Sequence, residues 1–378
     1  MSDNPSFVLK GILDTEIKSQ FQRVIGANEI LVEVKKTGIC GTDVHFLVHG
    51  SVGNFIVEKP MVLGHESAGV VSKVGPGVTN VKVGDRVAME PAATCRKCEA
   101  CKEGRYQASM ICPDIICAAT PPTDGTLTRY YRLPSDLAYP LPPSPSLEDG
   151  ALMEPLSVAV HAVSKLGALR SNQSVAVFGC GPVGLLCMAV AKALGASRVI
   201  AVDVIPDRLE FAKTYAATDT FLPPSIDKGE SGVEFSIRNA QTMKEKLGIA
   251  ENGSRAIDLV LDASGVEVAI QTGIRIAKSG GTFVQVGIGN RDITIDMFAV
   301  LCKELVLKGS LPLAPGDYSL AIALVASGKV DVKSLVSHRF SFRQACEAFE
   351  ITRNGKSPDG KGVIKVMISG PDVDINEV

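Results

Sequence analysis

Two sets of residues in this 378-residue chain have the types and spacing to do metal chemistry. The first lies along the front of the sequence: Cys40 in Thr37-Gly-Ile-Cys-Gly-Thr-Asp43, His65 and Glu66 in Gly64-His-Glu-Ser-Ala-Gly69, and Glu154 in Met153-Glu-Pro155. Thiolate, imidazole and carboxylate are all zinc donors, and a catalytic zinc keeps one position open for water or substrate. An alcohol bound to such an ion loses its proton far more readily than in bulk water. Taken singly, each residue has a plainer reading: Cys40 as a core thiol, His65 as a satisfied loop histidine, Glu154 as a helix cap. The second set is Cys95-x-x-Cys98-x-x-Cys101, with Cys112 after it. Three thiolates at this spacing can wrap one ion, and a fourth closes a tetrahedral structural site.

A third constellation points to a nucleotide. Val175-Ala-Val-Phe178 reads as a short buried strand, Gly179-x-Gly181-x-x-Gly184 follows at once, and 185–194 reads as a helix. In such a turn the first Gly permits the tight bend and the second admits a pyrophosphate to the backbone. The third lets helix pack on strand, and the helix N-terminus, with Pro182 and Val183 in its first turn, offers free N–H groups. A second apolar strand, Arg198-Val-Ile-Ala-Val202, ends on Asp203, where a carboxylate would accept both ribose hydroxyls and repel a 2′-phosphate. NAD rather than NADP is the expectation. Arg208 lies either against the adenine or in a salt bridge. Gly287-Ile288-Gly289 ends a later strand at the carboxyl edge of the sheet and is expected beside the nicotinamide.

The elements that must position these groups follow from the pattern. The front of the chain is strand-like, including 29–34, 61–63, 67–71 and 78–89. The stretch 95–126 has little periodicity and reads as a lobe, and the proline-rich 140–145 marks a boundary before a helix over 147–169. After Asp203, a helix at 208–215, a strand at 256–261, a helix at 266–277 and a strand at 281–286 alternate, which implies a doubly wound parallel sheet. The polar region 223–252 has no clear element. Beyond Cys302 come a strand at 305–308, helices near 318–327 and 342–352, and a last strand at 362–368, expected to rejoin the first domain. Cys180, Cys187, Cys302 and Cys346 read as buried small hydrophobes.

Composition narrows the partners. The chain is 46% hydrophobic and 21% charged with a net charge of −2, so nucleic acid and anionic membranes are not expected. Ten cysteines without a visible secretory leader point to metal or free thiols and to the cytoplasm. A small molecule is the expected substrate.

Gly64-His-Glu-x-x-Gly69-x5-Gly75, Gly-Ile-Cys-Gly-Thr-Asp, Met-Glu-Pro-Leu-Ser157 and the Gly179 motif occur here in the order found in zinc-dependent medium-chain alcohol dehydrogenases. The chain resembles their polyol branch, the fungal xylitol, arabinitol and sorbitol dehydrogenases, from about residue 29 to 368. The resemblance implies a Rossmann domain at 153–302 and a discontinuous GroES-like catalytic domain at 1–152 and 303–378, with a structural-metal lobe at about 92–120. It implies a catalytic zinc on Cys40, His65 and Glu66, with Glu154 near the metal, and a proton relay through Thr42 and His45. His49 reads as a surface residue. It also implies a structural zinc on Cys95, Cys98, Cys101 and Cys112, with a short insertion at 107–111, since the family's fourth cysteine falls at Ser109. An ion held by the front portion is expected to face a dinucleotide held by the middle portion. Homodimers or homotetramers are implied, with the edge strand near 282–286 as the joining element.

The chain departs from the branch where substrate is recognised. Phe46 stands where an aromatic hydroxyl is usual, Cys117 where a Phe is usual, and Leu311-Pro-Leu313 where an Arg-Tyr pair is usual. A polyol needs donors and acceptors in its pocket, so these changes favour a more apolar alcohol unless other groups supply the contacts. The activity expected is hydride transfer between a secondary alcohol and NAD. The alternative is a lyase, isomerase or binding protein that keeps the fold, zinc and NAD without net redox turnover.

Overall fold

The computed structural model describes residues 3–21, 24–103, 112–311, 314 and 316–377. The expected insertion at 107–111, Ser109, Pro312 and Leu313 lie outside the described residues. The chain forms two compact units: Met1–Pro155 with Ala314–Val378, and Leu156–Leu313.

The first unit is built on the strand Glu29–Gly38. Side chains alternate across a strand, so Ile30, Val32 and Val34 share one face and pack with Val71, Val87, Met89 and Leu133. Glu66–Val74 pairs with it antiparallel, as does Tyr130–Pro134. The last strand of the chain, Lys365–Ser369, also pairs antiparallel with it, setting Met367 opposite Gly38. The unit is therefore discontinuous in sequence.

A second core in this unit gathers Phe7, Leu9, Leu127, Phe349 and Ile368. The helix Gly41–His49 packs on it, stopped by Gly50 in the left-handed conformation (φ 69°). Its buried face carries Asp43, Phe46 and Leu47, because residues three and four apart share a side of a helix. Phe46 is 1% exposed and belongs to this core. The helix expected over 147–169 is three pieces. Leu147–Ala151 starts at a Ser146/Asp149 capping box, Met153–Val160 follows, and His161–Leu166 is π-helical.

The second unit is a six-stranded parallel sheet in the order Asp219–Phe221, Arg198–Val202, Ser174–Phe178, Ile257–Asp262, Ala277–Gln285, Val306–Gly309. The region 223–252 holds a sixteen-residue helix, Gly232–Leu247. Its Ser231/Glu234 capping box and Gly248 stop are sequence signals that could have placed it. Val306–Gly309 is the sixth strand, so the unit runs past the expected boundary at 302. Among the described residues that strand forms the sheet's edge, whereas 282–285 belong to an interior strand paired on both sides, with Val286 just beyond it. Cys180 and Cys187 are buried, but Cys302 and Cys346 are exposed. Apolar sequence neighbours do not bury a thiol that the helix turns outward.

Candidate functional site

Sheet register assembles the metal donors of the first unit. Cys40 follows the strand Glu29–Gly38 and stands at the start of the next helix, and Glu66 pairs directly with Gly38. The ligand atoms of Cys40, His65 and Glu66 all lie within 4.8 Å of one another, a spacing that a single ion can bridge.

Asp43 and Lys365, to which sequence reasoning assigned no role, hold these donors. The Nδ1 of His65 is 3.4 Å from Asp43 Oδ2, and the Gly64 N–H donates to Asp43 Oδ1 at 3.0 Å. Nδ1 on a carboxylate leaves Nε2 free to ligate, the usual arrangement of a metal-binding histidine. Burial lowers the pKa of His65, but Asp43 and Cys40 outweigh it and hold the imidazole well above its ordinary value. These acceptors attract positive charge, which a cation there would supply. Lys365 donates to both oxygens of Glu66, at 2.8 and 2.7 Å, and to the Ile39 carbonyl at 3.1 Å. Burial also pulls the Lys365 pKa down, and the Glu66 carboxylate more than restores it. Asp43 could have been suspected from its place beside Cys40. Lys365, 299 positions from Glu66, left no local signal.

Glu154 is buried but is not one of the three grouped donors. Burial pushes its carboxyl up to about 7, helped by Glu66 and Asp43 and opposed by His65 and Lys365. Cys117 belongs to the same neighbourhood: burial raises its thiol to about 11, and it feels His65, Glu154 and Glu90. Thr42 is half-buried and His45 exposed, with its ring 5.6 Å from that of the equally exposed His49. Leu311, in the second unit, is 46% exposed.

Glu90 was also missed. It is buried, accepts from the Tyr139 hydroxyl at 2.7 Å, and is pushed from 4.5 to about 7 chiefly by burial. An acid whose pKa is raised by folding leaves stability unchanged below the unfolded value. As pH rises from 4.5 towards 7, the unfolded chain ionises first and stability falls, by about 3 kcal/mol in all. Glu90→Gln keeps an acceptor for Tyr139 and removes that loss. Urea unfolding should therefore find the variant more stable than wild type at pH 8 and nearly equal at pH 4.5. Equal stability at both pH values would contradict this account.

The second metal candidate groups Cys95, Cys98, Cys101 and Cys112 within the same 4.8 Å limit. Backbone N–H groups point at the sulfurs: Cys98 N donates to Cys95 Sγ and Cys95 N to Cys112 Sγ, each at 3.3 Å. N–H donors from Lys97 and Cys98 draw the Cys95 thiol down to about 6. Four converging sulfurs with N–H support fit a thiolate-bound zinc.

In the second unit, Gly179 adopts φ 93°, and a Cβ on Gly184 would sit 1.9 Å from the Gly179 carbonyl oxygen, so neither position accepts a side chain. A Cβ on Gly181 would meet nothing within 4 Å, leaving the backbone open to an approaching group. Pro182 and Val183 begin the helix Pro182–Ala193. Asp203 ties the turn to the next loop, accepting Cys180 N–H at 2.7 Å and Ile205 N–H at 2.9 Å. Each oxygen retains a lone pair for a hydroxyl. Arg208 is half-buried on the helix Pro206–Tyr215. Gly287 and Ile288 follow the strand Ala277–Gln285, with Ile288 54% exposed.

Residues 26–143 match the alcohol dehydrogenase GroES-like domain, and residues 182–327 the zinc-binding dehydrogenase family. D-xylulose reductase A of Aspergillus niger is 51% identical over 374 residues, 98% of each chain. The chain belongs to the zinc-dependent polyol dehydrogenases of the medium-chain family.

Among solved structures, L-idonate 5-dehydrogenase from Escherichia coli aligns with this dehydrogenase at a TM-score of 0.84 and 27% identity, over 97% of this chain and 98% of the other. Galactitol-1-phosphate dehydrogenase from the same species aligns at 0.81 and 27%, over 96% and 99%. The dehydrogenase is an oxidoreductase that works with zinc and a nicotinamide cofactor, and the non-redox alternative finds no support in these relatives. Among the described residues, no helix is long and apolar enough to cross a membrane.

Proposed function

We propose that this dehydrogenase interconverts an acyclic secondary polyol and its ketose with NAD, with xylitol and D-xylulose the first pair to test. The observation that carries the reading is the Cys40, His65 and Glu66 donor set, held by Asp43 and Lys365 in a chain that also has the glycine turn and Asp203. The kinship with a D-xylulose reductase supports the substrate class.

When bound, zinc supplies a Lewis acid that acidifies the alcohol, and the nicotinamide supplies a hydride acceptor. The chain's own residues do the rest. Cys40, His65 and Glu66 hold the ion, and Asp43 orients His65 through Nδ1. The Thr42 hydroxyl takes the alcohol proton onward to His45, which is exposed and releases it to water. Asp203 would accept the ribose hydroxyls and repel a 2′-phosphate, and Arg208 would lie against the adenine. The four-cysteine cluster would hold a structural zinc. The overall change is secondary alcohol plus NAD giving ketone, NADH and a proton.

Cys117, in the neighbourhood of the metal donors, is apolar where a polyol would want a polar partner, which favours a second reading, a more apolar secondary alcohol. One panel separates the two: sugar alcohols and hydrophobic secondary alcohols, each with NAD and with NADP, followed at the reduced-cofactor absorbance. The expected outcome is turnover of xylitol, with kcat/KM for NAD on the order of a hundredfold above NADP. Comparable efficiency with NADP would remove the Asp203 reading, and silence on every alcohol would remove the redox one.

The sheet's edge supports a homo-oligomer. Val306 and Leu307 on the edge strand, which pairs on one side only among the described residues, and Met297, Phe298 and Leu301 on the helix Met297–Cys302, are exposed apolar side chains. A second copy pairing edge to edge would cover them. Sedimentation should give at least a dimer mass for wild type and a lower mass for Phe298→Asp. A monomeric wild type would rule the arrangement out.

A further inference from the structure

The strand order of the parallel sheet reverses between Ser174–Phe178 and Ile257–Asp262, and open α/β sheets bind ligands outside the carboxyl ends at such a point. On the Ile257–Asp262 side, two loops wall this crevice, 263–265 and 286–289. They cross with no room to spare: a Cβ on Gly289 would lie 1.8 Å from the Gly265 carbonyl oxygen, and one on Gly287 2.4 Å from the Gly265 nitrogen. With so little side chain in the crossing, apolar packing contributes little to its geometry.

A buried polar network ties the loops together. The Asp262 carboxylate, fully buried, accepts the Gly265 N–H at 2.7 Å, the Ser264 hydroxyl at 2.6 Å and the Gln285 amide at 2.7 Å. Gln285 also donates to the Gly287 carbonyl at 2.8 Å, and the Asp262 carbonyl accepts N–H groups from Val286 and Gly287, each at 2.8 Å. A fully buried carboxylate is costly, and here three hydrogen-bond donors meet it, two from the loop 263–265 and one from Gln285 at the end of the neighbouring strand. One residue thereby fixes both walls, including the loop that presents the exposed Ile288.

We propose that Asp262 and Gln285 are a positioning pair for the nicotinamide half of the dinucleotide, holding the crossed glycine loops in the shape that receives it. Asp203 ends the strand on the opposite side of the glycine turn and serves the adenosine half. The inference rests on the reading of this crevice as a dinucleotide site. A ligand that lacks nicotinamide should then be indifferent to the pair, which a general structural role would not allow.

The test uses the full-length, zinc-loaded enzyme and two probes, NADH by its fluorescence and ADP-ribose by calorimetry. Gln285→Met removes both amide donations with little change in size. NADH should bind this variant about tenfold more weakly, because the walls are no longer preorganised, while ADP-ribose affinity stays within about twofold and kcat falls. Asp262→Asn, close in shape, gives the same comparison should Gln285→Met fail to fold. Unchanged NADH affinity, or equal weakening of both ligands, would overturn the proposal. Wild-type enzyme that binds neither ligand would instead refute the underlying dinucleotide reading, so the two failures are distinguishable.

Discussion

Cys40→Ala should lower kcat/KM for the alcohol by about a thousandfold or more, with zinc content falling by one ion per chain. Cys40, His65 and Glu66 supply the only three donors grouped at this point among the described residues, and removing the thiolate leaves an imidazole and a carboxylate already bound to Lys365. Two such donors do not retain zinc well, and without it the alcohol must ionise near its bulk pKa. The companion variant Cys95→Ser should remove the other ion and lower thermal stability, since Cys95 accepts the Cys98 N–H and lies 3.8 Å from the Cys101 sulfur. Elemental analysis with turnover measured on the same samples checks both. A Cys40→Ala protein with full zinc and near-normal turnover would end the catalytic reading.

Lys365→Met should destabilise the enzyme by about 3–5 kcal/mol, the usual consequence of leaving one partner of a buried ion pair uncompensated. Lys365 and Glu66 are 3% and 1% exposed, and the ammonium meets both carboxylate oxygens. Adding Glu66→Gln removes the stranded charge, so the double variant should recover much of the loss. A denaturant-unfolding double-mutant cycle measures this coupling directly. Additive single effects would mean that the two charges do not stabilise each other. Chelating the zinc first should enlarge the Lys365→Met effect, because the ion is the only other nearby partner for Glu66 that we propose.

Much of this molecule was legible in the residues alone, and the reasons are physical. A tight strand–turn–helix needs glycines at fixed offsets, so Gly179, Gly181 and Gly184 announce it without any tertiary knowledge. The thiol spacing from Cys95 to Cys101 is equally local, since one ion must be reached from one short stretch. Parallel strands buried on both faces show as apolar runs, which is why the alternating elements after Ser174 were readable. The helix Gly232–Leu247 was also announced, by Ser231 and Glu234, but its polar outer face obscured the signal.

Other features depended on partners far away in sequence. Phe46 shares a buried core with Phe7 and Phe349, residues far from it in sequence. Cys302 and Cys346 looked buried until their helices faced them outward. Sequence by itself determined the donor types, the nucleotide turn and the family, because each depends on chemistry confined to a few neighbouring residues. Tertiary structure decided which buried charges support those groups: Lys365 under Glu66, Asp43 behind His65, and Asp262 between two glycine loops. A counter-charge or hydrogen-bond donor acts over a few ångströms of space regardless of its distance along the chain, so only folding reveals it.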